Sequence, residues 1–218
     1  MASDLKISEV LKSRLHASND AQPESSRIRI HRAISWLARA EAEAGDPDAQ
    51  FVFLWIAFNA AYARELGLEK SAREELEAFF DQLLAMDAGK RLEGLLFKQF
   101  SGPIRTLIQN KFVFEPFWKA LREHDASGRW ELLFTASSGT ATRALLHGRT
   151  DVLLNVVFER LYVLRNQLVH GGATWNSSVN REQVKDGARI LMATVPAMLE
   201  LMLDHPEVDF GDVLYPVV

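Results

Sequence analysis

DVLLNVVFERLYVLRNQLVHGG, residues 151–172, is the stretch on which the reading of the whole chain turns. Asp151 is a helix-capping residue type, and the Gly171-Gly172 pair is a helix terminator. The spacing between them predicts a long helix over Val152–His170. Projected at about 100° per residue, Asn155, Glu159, Tyr162, Asn166 and His170 fall within an arc of ~80°. Most other positions are Val, Leu or Phe. A helix that should otherwise be buried therefore carries one polar seam, ending at His170. Arg165 stands about 100° round from Asn166, and its long side chain reaches beyond its own face.

Outward from this helix, nearly every segment reads as helical. Seven Pro and twelve Gly fall mainly at punctuation points, and no two-residue hairpin turn joins alternating apolar runs. A short first helix is expected from Ser3 or Asp4 to about His16, followed by a linker over Ala17–Ser26 containing Pro23. Ser26 is read as the cap of a second helix that leads towards Gly45. Asp46-Pro47 starts a third, since Asp caps and Pro at the first turn needs no N–H partner. Its residues Phe51, Phe53, Leu54, Trp55, Ile56, Phe58 and Tyr62 are apolar almost all round, which predicts burial, with Gly67 as its stop. Residues 68–150 read as a helical insertion, with helices near 72–86, 89–99 and 103–110. Pro103 and Pro116 break the run, and Ser137-Ser138-Gly139-Thr140 interrupts another helix. A closing helix is expected over about Asn180–Asp204, with a kink at Pro196. The expectation is a single all-α domain over 1–218: an N-terminal helix and linker (1–25), the insertion (68–150), and the motif and closing helices (151–204).

Composition narrows the function classes. Across 218 residues the chain is 48% hydrophobic and 25% charged, the balance of a packed domain. A net charge of -4 argues against coating nucleic acid through a broad positive field, so phosphate contacts would come from local Arg and Lys. The absence of Cys removes thiol nucleophiles, disulfides and Cys-based metal sites. No stretch approaches the roughly 20 apolar residues of a membrane span, and the first residues lack the apolar core of a signal peptide. A cytoplasmic protein without metal or cofactor is expected.

The end of the motif helix has chemistry of its own. His170 sits in the last turn, where the carbonyl end of the dipole favours an imidazolium, and imidazoles titrate near neutrality. Arg165 is permanently charged and offers a fork of donors to phosphate oxygens. Asn166, four residues before His170, can orient the ring or bind a phosphate oxygen. These groups suit RNA cleavage by attack of a ribose 2′-OH on its own phosphate, which needs a proton shuttle and charge stabilisation. The same residues also suit a plain helix end, with Arg and His satisfying terminal carbonyls and the seam facing solvent or another subunit.

The string Tyr162-Val-Leu-Arg165-Asn166-Gln-Leu-Val-His170-Gly171 resembles the signature of the HEPN superfamily, where an Arg, a polar residue (often Asn) and a His close a helix as R-x4–6-H. Trp55-Ile-Ala-Phe58-Asn59-Ala-Ala-Tyr62 is similar to the W-x-x-F-N-x-x-Y helix of some HEPN groups. The resemblance covers 27–67 and 151–204. It implies a helical bundle that dimerises and brings two motifs together. It also implies metal-independent endoribonuclease activity, in toxin–antitoxin, phage-defence or RNA-processing settings, with Arg165 and His170 catalytic and Asn166 supporting them. Other members bind RNA, a nucleotide or a protein partner without cutting. A separate antitoxin or nucleotidyltransferase chain is a further partner that the resemblance implies.

Supporting roles fall to Asn59, Glu159 and Tyr162. A hydrogen-bonded structural role competes for Asn59, because burying an unpaired amide costs a few kcal/mol. Arg27, Arg29, His31 and Arg32 form the densest basic cluster, readable as a solvated face or as an RNA phosphate track. Trp175, in the loop 171–178, is a candidate for stacking on a base. Arg143 and His147 read as a helix cap. His205, Glu207, Asp209 and Asp212 read as a solvated acidic end.

Overall fold

The computed structural model describes residues 5–18, 21–63, 72–213 and 215. The fold is all-α, with no strand among the described residues. The chain divides into two compact units, one formed by 1–89 with 188–218 and the other by 90–187. The stretch 151–172 thus shares its unit with most of the region read as an insertion.

The first unit holds α1 (Ile7–Ala17), α2 (Glu24–Ala42), α3 (Pro47–Tyr62), α4 (Ala72–Met86) and the C-terminal part of α10 (Arg181–Asp204). Helix α3 starts as its sequence dictates: the Asp46 carboxylate accepts from the N–H groups of Asp48 (3.0 Å) and Ala49 (3.2 Å), with Pro47 following. It buries Phe51, Leu54, Trp55 and Phe58, while Phe53, Ile56, Asn59 and Tyr62 stay half-buried, so it is less enclosed than its composition suggests. The expected stop at Gly67 lies outside the described residues, and the described helix ends at Tyr62. The Phe58 ring lies 6.2 Å from Phe80 and 6.4 Å from Phe79, which ties α4 to α3. Helix α2 packs on α3 through Ile30, Ala33, Ile34, Leu37 and Ala40, a spacing that lines one helical face. Each large apolar side chain so enclosed contributes about 1.5–3 kcal/mol. Helix α2 begins two residues earlier than its expected cap, so Ser26 is buried inside its first turn.

Arg29 requires a correction. Read as one of a basic cluster available to RNA, it is only 1% exposed. Its guanidinium donates to the carbonyls of Ala61 (3.2 Å), Ala63 (2.5 Å), Gly211 (3.1 Å) and Asp212 (3.1 Å). A planar fork of five N–H donors is suited to gathering carbonyls that a helix end and an irregular segment leave unpaired. It is therefore a clamp between the end of α3 and the segment after α10, with no donor edge facing solvent.

The second unit holds α5 (Arg91–Gly94), a π-helical turn (Leu95–Gln99), α6 (Ser101–Ile108), a 3₁₀ turn (Lys111–Val113), α7 (Glu115–Arg122), α8 (Arg129–His147), α9 (Thr150–Val169) and the first turns of α10. Pro103 and Pro116 lie in first turns, where the missing N–H costs nothing, so each opens a helix where the run was expected to break. Helix α8 runs unbroken through Ser137-Ser138-Gly139-Thr140. Ser138 is buried there because its Oγ donates to the Ile108 carbonyl (2.8 Å), closing the end of α6. Helix α9 packs against α6 and α8 with Leu153, Leu154, Val157, Phe158, Leu161 and Leu164. Asp151 does not cap it. Its carboxylate pairs with Arg149 (Nε 3.0 Å, Nη2 2.6 Å), and that hydrogen bond holds the acid below its ordinary value. The described residues contain no helix long and apolar enough to cross a membrane.

Replacing Arg29 with Leu orphans several buried carbonyls at once. We expect Arg29→Leu to lower the unfolding free energy by ~3 kcal/mol or more, against about 0.5 kcal/mol or less for the exposed His31→Ala. Urea denaturation of both variants checks this, and similar midpoints would show that the clamp stabilises nothing.

Candidate functional site

The polar seam is where α9 opens to solvent. Asn155, Glu159 and Asn166 are half-buried, and Tyr162 and His170 are exposed, while the apolar positions from Val156 to Leu164 are buried. The helix then stops sharply. The His170 N–H donates to the Asn166 carbonyl (3.0 Å), Gly171 turns left-handed (φ 71°), and the Ala173 N–H returns to the Gln167 carbonyl (3.0 Å). Glycine reaches that left-handed region without the Cβ penalty of other residues. A Cβ on Gly172 would make ordinary van der Waals contact with the Gln167 backbone at 3.4 Å, so the backbone turn calls for glycine at 171 alone of the pair.

This ending builds one wall of a cleft of about 590 Å³. Val163, Asn166, Gln167 and His170, one face of the last two turns, line it together with Trp118 and Asn180. The His170 ring has no hydrogen-bond partner among the described residues, so both nitrogens remain open to a ligand. Arg165 donates from Nη1 to Asn166 Oδ1 (2.9 Å), and its Nε is buried without a partner among the described residues. Arg165 does not line the cleft. It reaches the site through Asn166. At the rim, Arg122 Nη2 and Glu115 Oε1 pair at 2.9 Å.

The floor of the cleft is tied to one carbonyl. Phe112 O accepts from Gln167 Nε2 (2.6 Å) and from the Trp118 indole N–H (2.8 Å). Gln167 Oε1 in turn accepts from Asn180 Nδ2 (3.1 Å). None of Trp118, Gln167 or Asn180 was singled out from sequence. Gln167 sits inside the motif as a spacer, and nothing in the pattern around Trp118 marks it.

Other expected participants lie elsewhere. Trp175 is 71% exposed and outside the cleft, so the aromatic wall is Trp118 instead. Glu159 and Tyr162 share the seam but do not line the cleft. Asn59 and Arg32 belong to the first unit and line a separate cleft of about 400 Å³ with Arg29 and Tyr62. Arg27 is half-buried on α2. His205 Nδ1 contacts Glu207 Oε1 (3.0 Å), and the Asp209 carboxylate accepts from the Gly211 N–H (2.8 Å). Among the described residues no group of three or more His, Asp and Glu side chains is arranged to hold a metal.

Arg160 also escaped the sequence reading, although it is a charge on the apolar arc of α9. It is 2% exposed, its guanidinium carbon stands 4.4 Å from the Phe114 ring centre and 5.7 Å from that of Phe134, and Nη2 donates to Ser137 Oγ (3.0 Å). Burial pushes this guanidinium down to about 10, which marks the charge as costly to the fold. The side chain holds α9 against α8 by stacking and one hydrogen bond.

No family model, no curated protein and no solved structure matches the chain at the significance required.

Arg160 fills its slot largely as an apolar body. We expect Arg160→Met to match or exceed the wild type at pH 7, and Arg160→Ala to lose ~2–4 kcal/mol. The folded state penalises the charged form, so the wild type gains stability as pH rises through about 10 and the margin of the Met variant shrinks there. Thermal melts at neutral and alkaline pH check both. A Met variant as damaged as the Ala variant would show that the charge itself stabilises the unit.

Proposed function

We propose that this chain is a metal-independent endoribonuclease of HEPN type, acting on single-stranded RNA at the cleft that His170 and Asn166 line. The observation that carries the reading is His170 itself: an exposed imidazole with no hydrogen-bond partner among the described residues, lining a cleft beside an amide held by an arginine. Arg165 can only donate, so the bond it makes fixes Oδ1 of Asn166 towards the guanidinium and leaves Nδ2 as a donor. The similarity of Arg165, Asn166 and His170 to the R-x4–6-H pattern supports the same reading.

The reaction follows from these groups. The ribose 2′-oxygen attacks the adjacent phosphorus while His170 takes the 2′-hydroxyl proton. The bond from phosphorus to the 5′-oxygen breaks, and that oxygen receives a proton from the His170 of a second copy. Asn166 donates to a non-bridging phosphate oxygen, and Arg165 supplies fixed positive charge behind it. The products are a 2′,3′-cyclic phosphate and a 5′-hydroxyl. The homodimer belongs to the proposal, because one chain supplies one such histidine.

A second reading, a module that binds RNA without cutting it, draws on Arg165 standing outside the cleft lining. The two differ in what His170 does.

Purified protein incubated with varied single-stranded RNAs in EDTA should give cyclic-phosphate ends. His170→Ala, Arg165→Ala and Asn166→Ala should each slow cleavage by about 100-fold or more. Intact RNA from wild type and variants alike would overturn the ribonuclease reading. RNA binding that survives in His170→Ala, with no cleavage by either protein, would select the binding module.

A further inference from the structure

The cleft beside His170 has a polarity fixed by its own hydrogen bonds. A backbone carbonyl can only accept, so the Phe112 oxygen forces Gln167 to present Nε2 to it. That turns Gln167 Oε1 outward and forces Asn180 to meet it with Nδ2 (3.1 Å). Asn180 is thereby left with its Oδ1 as an acceptor. Arg165 fixes Asn166 with Nδ2 left as a donor. Neither residual group has a partner among the described residues, and both residues line the cleft.

The third component is flat and apolar. Trp118 is half-buried, and its indole N–H is spent on the same Phe112 carbonyl (2.8 Å). Its ring is braced edge-on by Phe117, with centroids 5.2 Å apart and planes at 72°. A tryptophan tethered at its nitrogen and packed against Phe117 is preset in the lining of the cleft, with little rotamer entropy left to lose on binding. An aromatic face, one outward donor and one outward acceptor together complement a planar heterocycle whose edge carries both an acceptor and a donor, as every nucleobase does. The volume of about 590 Å³ accommodates a nucleotide.

We infer that this cleft is a nucleobase subsite: the base stacks on Trp118, its edge pairs with Asn166 Nδ2 and Asn180 Oδ1, and its ribose phosphate extends towards His170. The inference rests on the proposed RNA site for the direction of the phosphate, but base binding does not depend on cleavage. Gln167 is a positioning residue, since it touches Asn180 and the Phe112 carbonyl and sets the amide that faces the ligand.

The test is binding of the four nucleoside 3′-monophosphates to the full chain by titration calorimetry, with ribose 5-phosphate as the probe lacking a base. At least one nucleotide should bind about ten-fold or more tightly than ribose 5-phosphate. Trp118→Ala should remove about ten-fold or more of that affinity, whereas Trp118→Phe, which keeps an aromatic face, should retain most of it. Gln167→Ala should weaken nucleotide binding by a larger factor than it weakens ribose 5-phosphate binding. Circular dichroism establishes that each variant is folded. Nucleotides that bind no better than ribose 5-phosphate, or equal affinity in folded Trp118→Ala, would overturn the subsite. If RNA is still cut in a His170-dependent way under that outcome, the ribonuclease reading survives and only the base subsite falls. Trp118-dependent nucleotide binding with no cleavage of any RNA keeps the subsite and removes the ribonuclease.

Discussion

Helix α9 can bury its side chains on every side except one, and this asymmetry governs what its end presents. Leu153, Val157, Phe158, Leu161 and Leu164 take the inward positions against α6 and α8. The polar residues are left with the single strip that reaches solvent. Because the helix stops abruptly at the left-handed Gly171, the last of those residues, His170, stands at the mouth of a cleft and not inside a continuing helix. A helix that ran on would cover the same carbonyls and close that mouth.

The second constraint is the Phe112 carbonyl. It receives the Trp118 indole and the Gln167 amide, and through Gln167 it orients Asn180. Both bonds to this oxygen are exposed, and because a carbonyl only accepts, that one acceptor sets the orientation of Trp118, Gln167 and, through Gln167, Asn180. Arg165 plays the corresponding part for Asn166. The residues that line the cleft are therefore held by the Phe112 carbonyl, by Arg165 and, for Asn180, by Gln167, which is the arrangement expected of a preorganised binding site. Arg29 and Arg160 follow a different logic: both are cations spent on the fold, one gathering carbonyls and the other stacked between aromatic rings.

Much of the architecture was legible because it is local. The Asp46-Pro47 start, the helix over 72–86 and the Gly171 stop follow from capping and backbone rules within a few residues. The polar seam was legible because helical periodicity projects it directly. What escaped depends on contacts between distant positions. Arg29 reads as one of four neighbouring basic residues until the segment 210–212 lies over it. Ser137 and Ser138 carry breaker chemistry that Arg160 and the Ile108 carbonyl redirect, whereas Asp151 is drawn from its capping role by Arg149, only two residues before it. Trp118 and Asn180 are 48 and 14 residues from Asn166 in sequence, and only packing of α7 and the loop before α10 brings them to the same cleft. The sequence placed the aromatic partner at Trp175, inside the adjoining loop, because proximity along the chain was the available guide.

The central claim is that His170 meets a nucleic-acid phosphate. Its most direct measurement is NMR of the imidazole resonances as an uncleavable, 2′-deoxy-substituted oligonucleotide is titrated into the full chain. Saturable shifts of the His170 ring, with the remaining imidazoles largely unmoved, are expected. A His170 resonance that stays fixed while the oligonucleotide binds would place the nucleic acid elsewhere and contradict the claim.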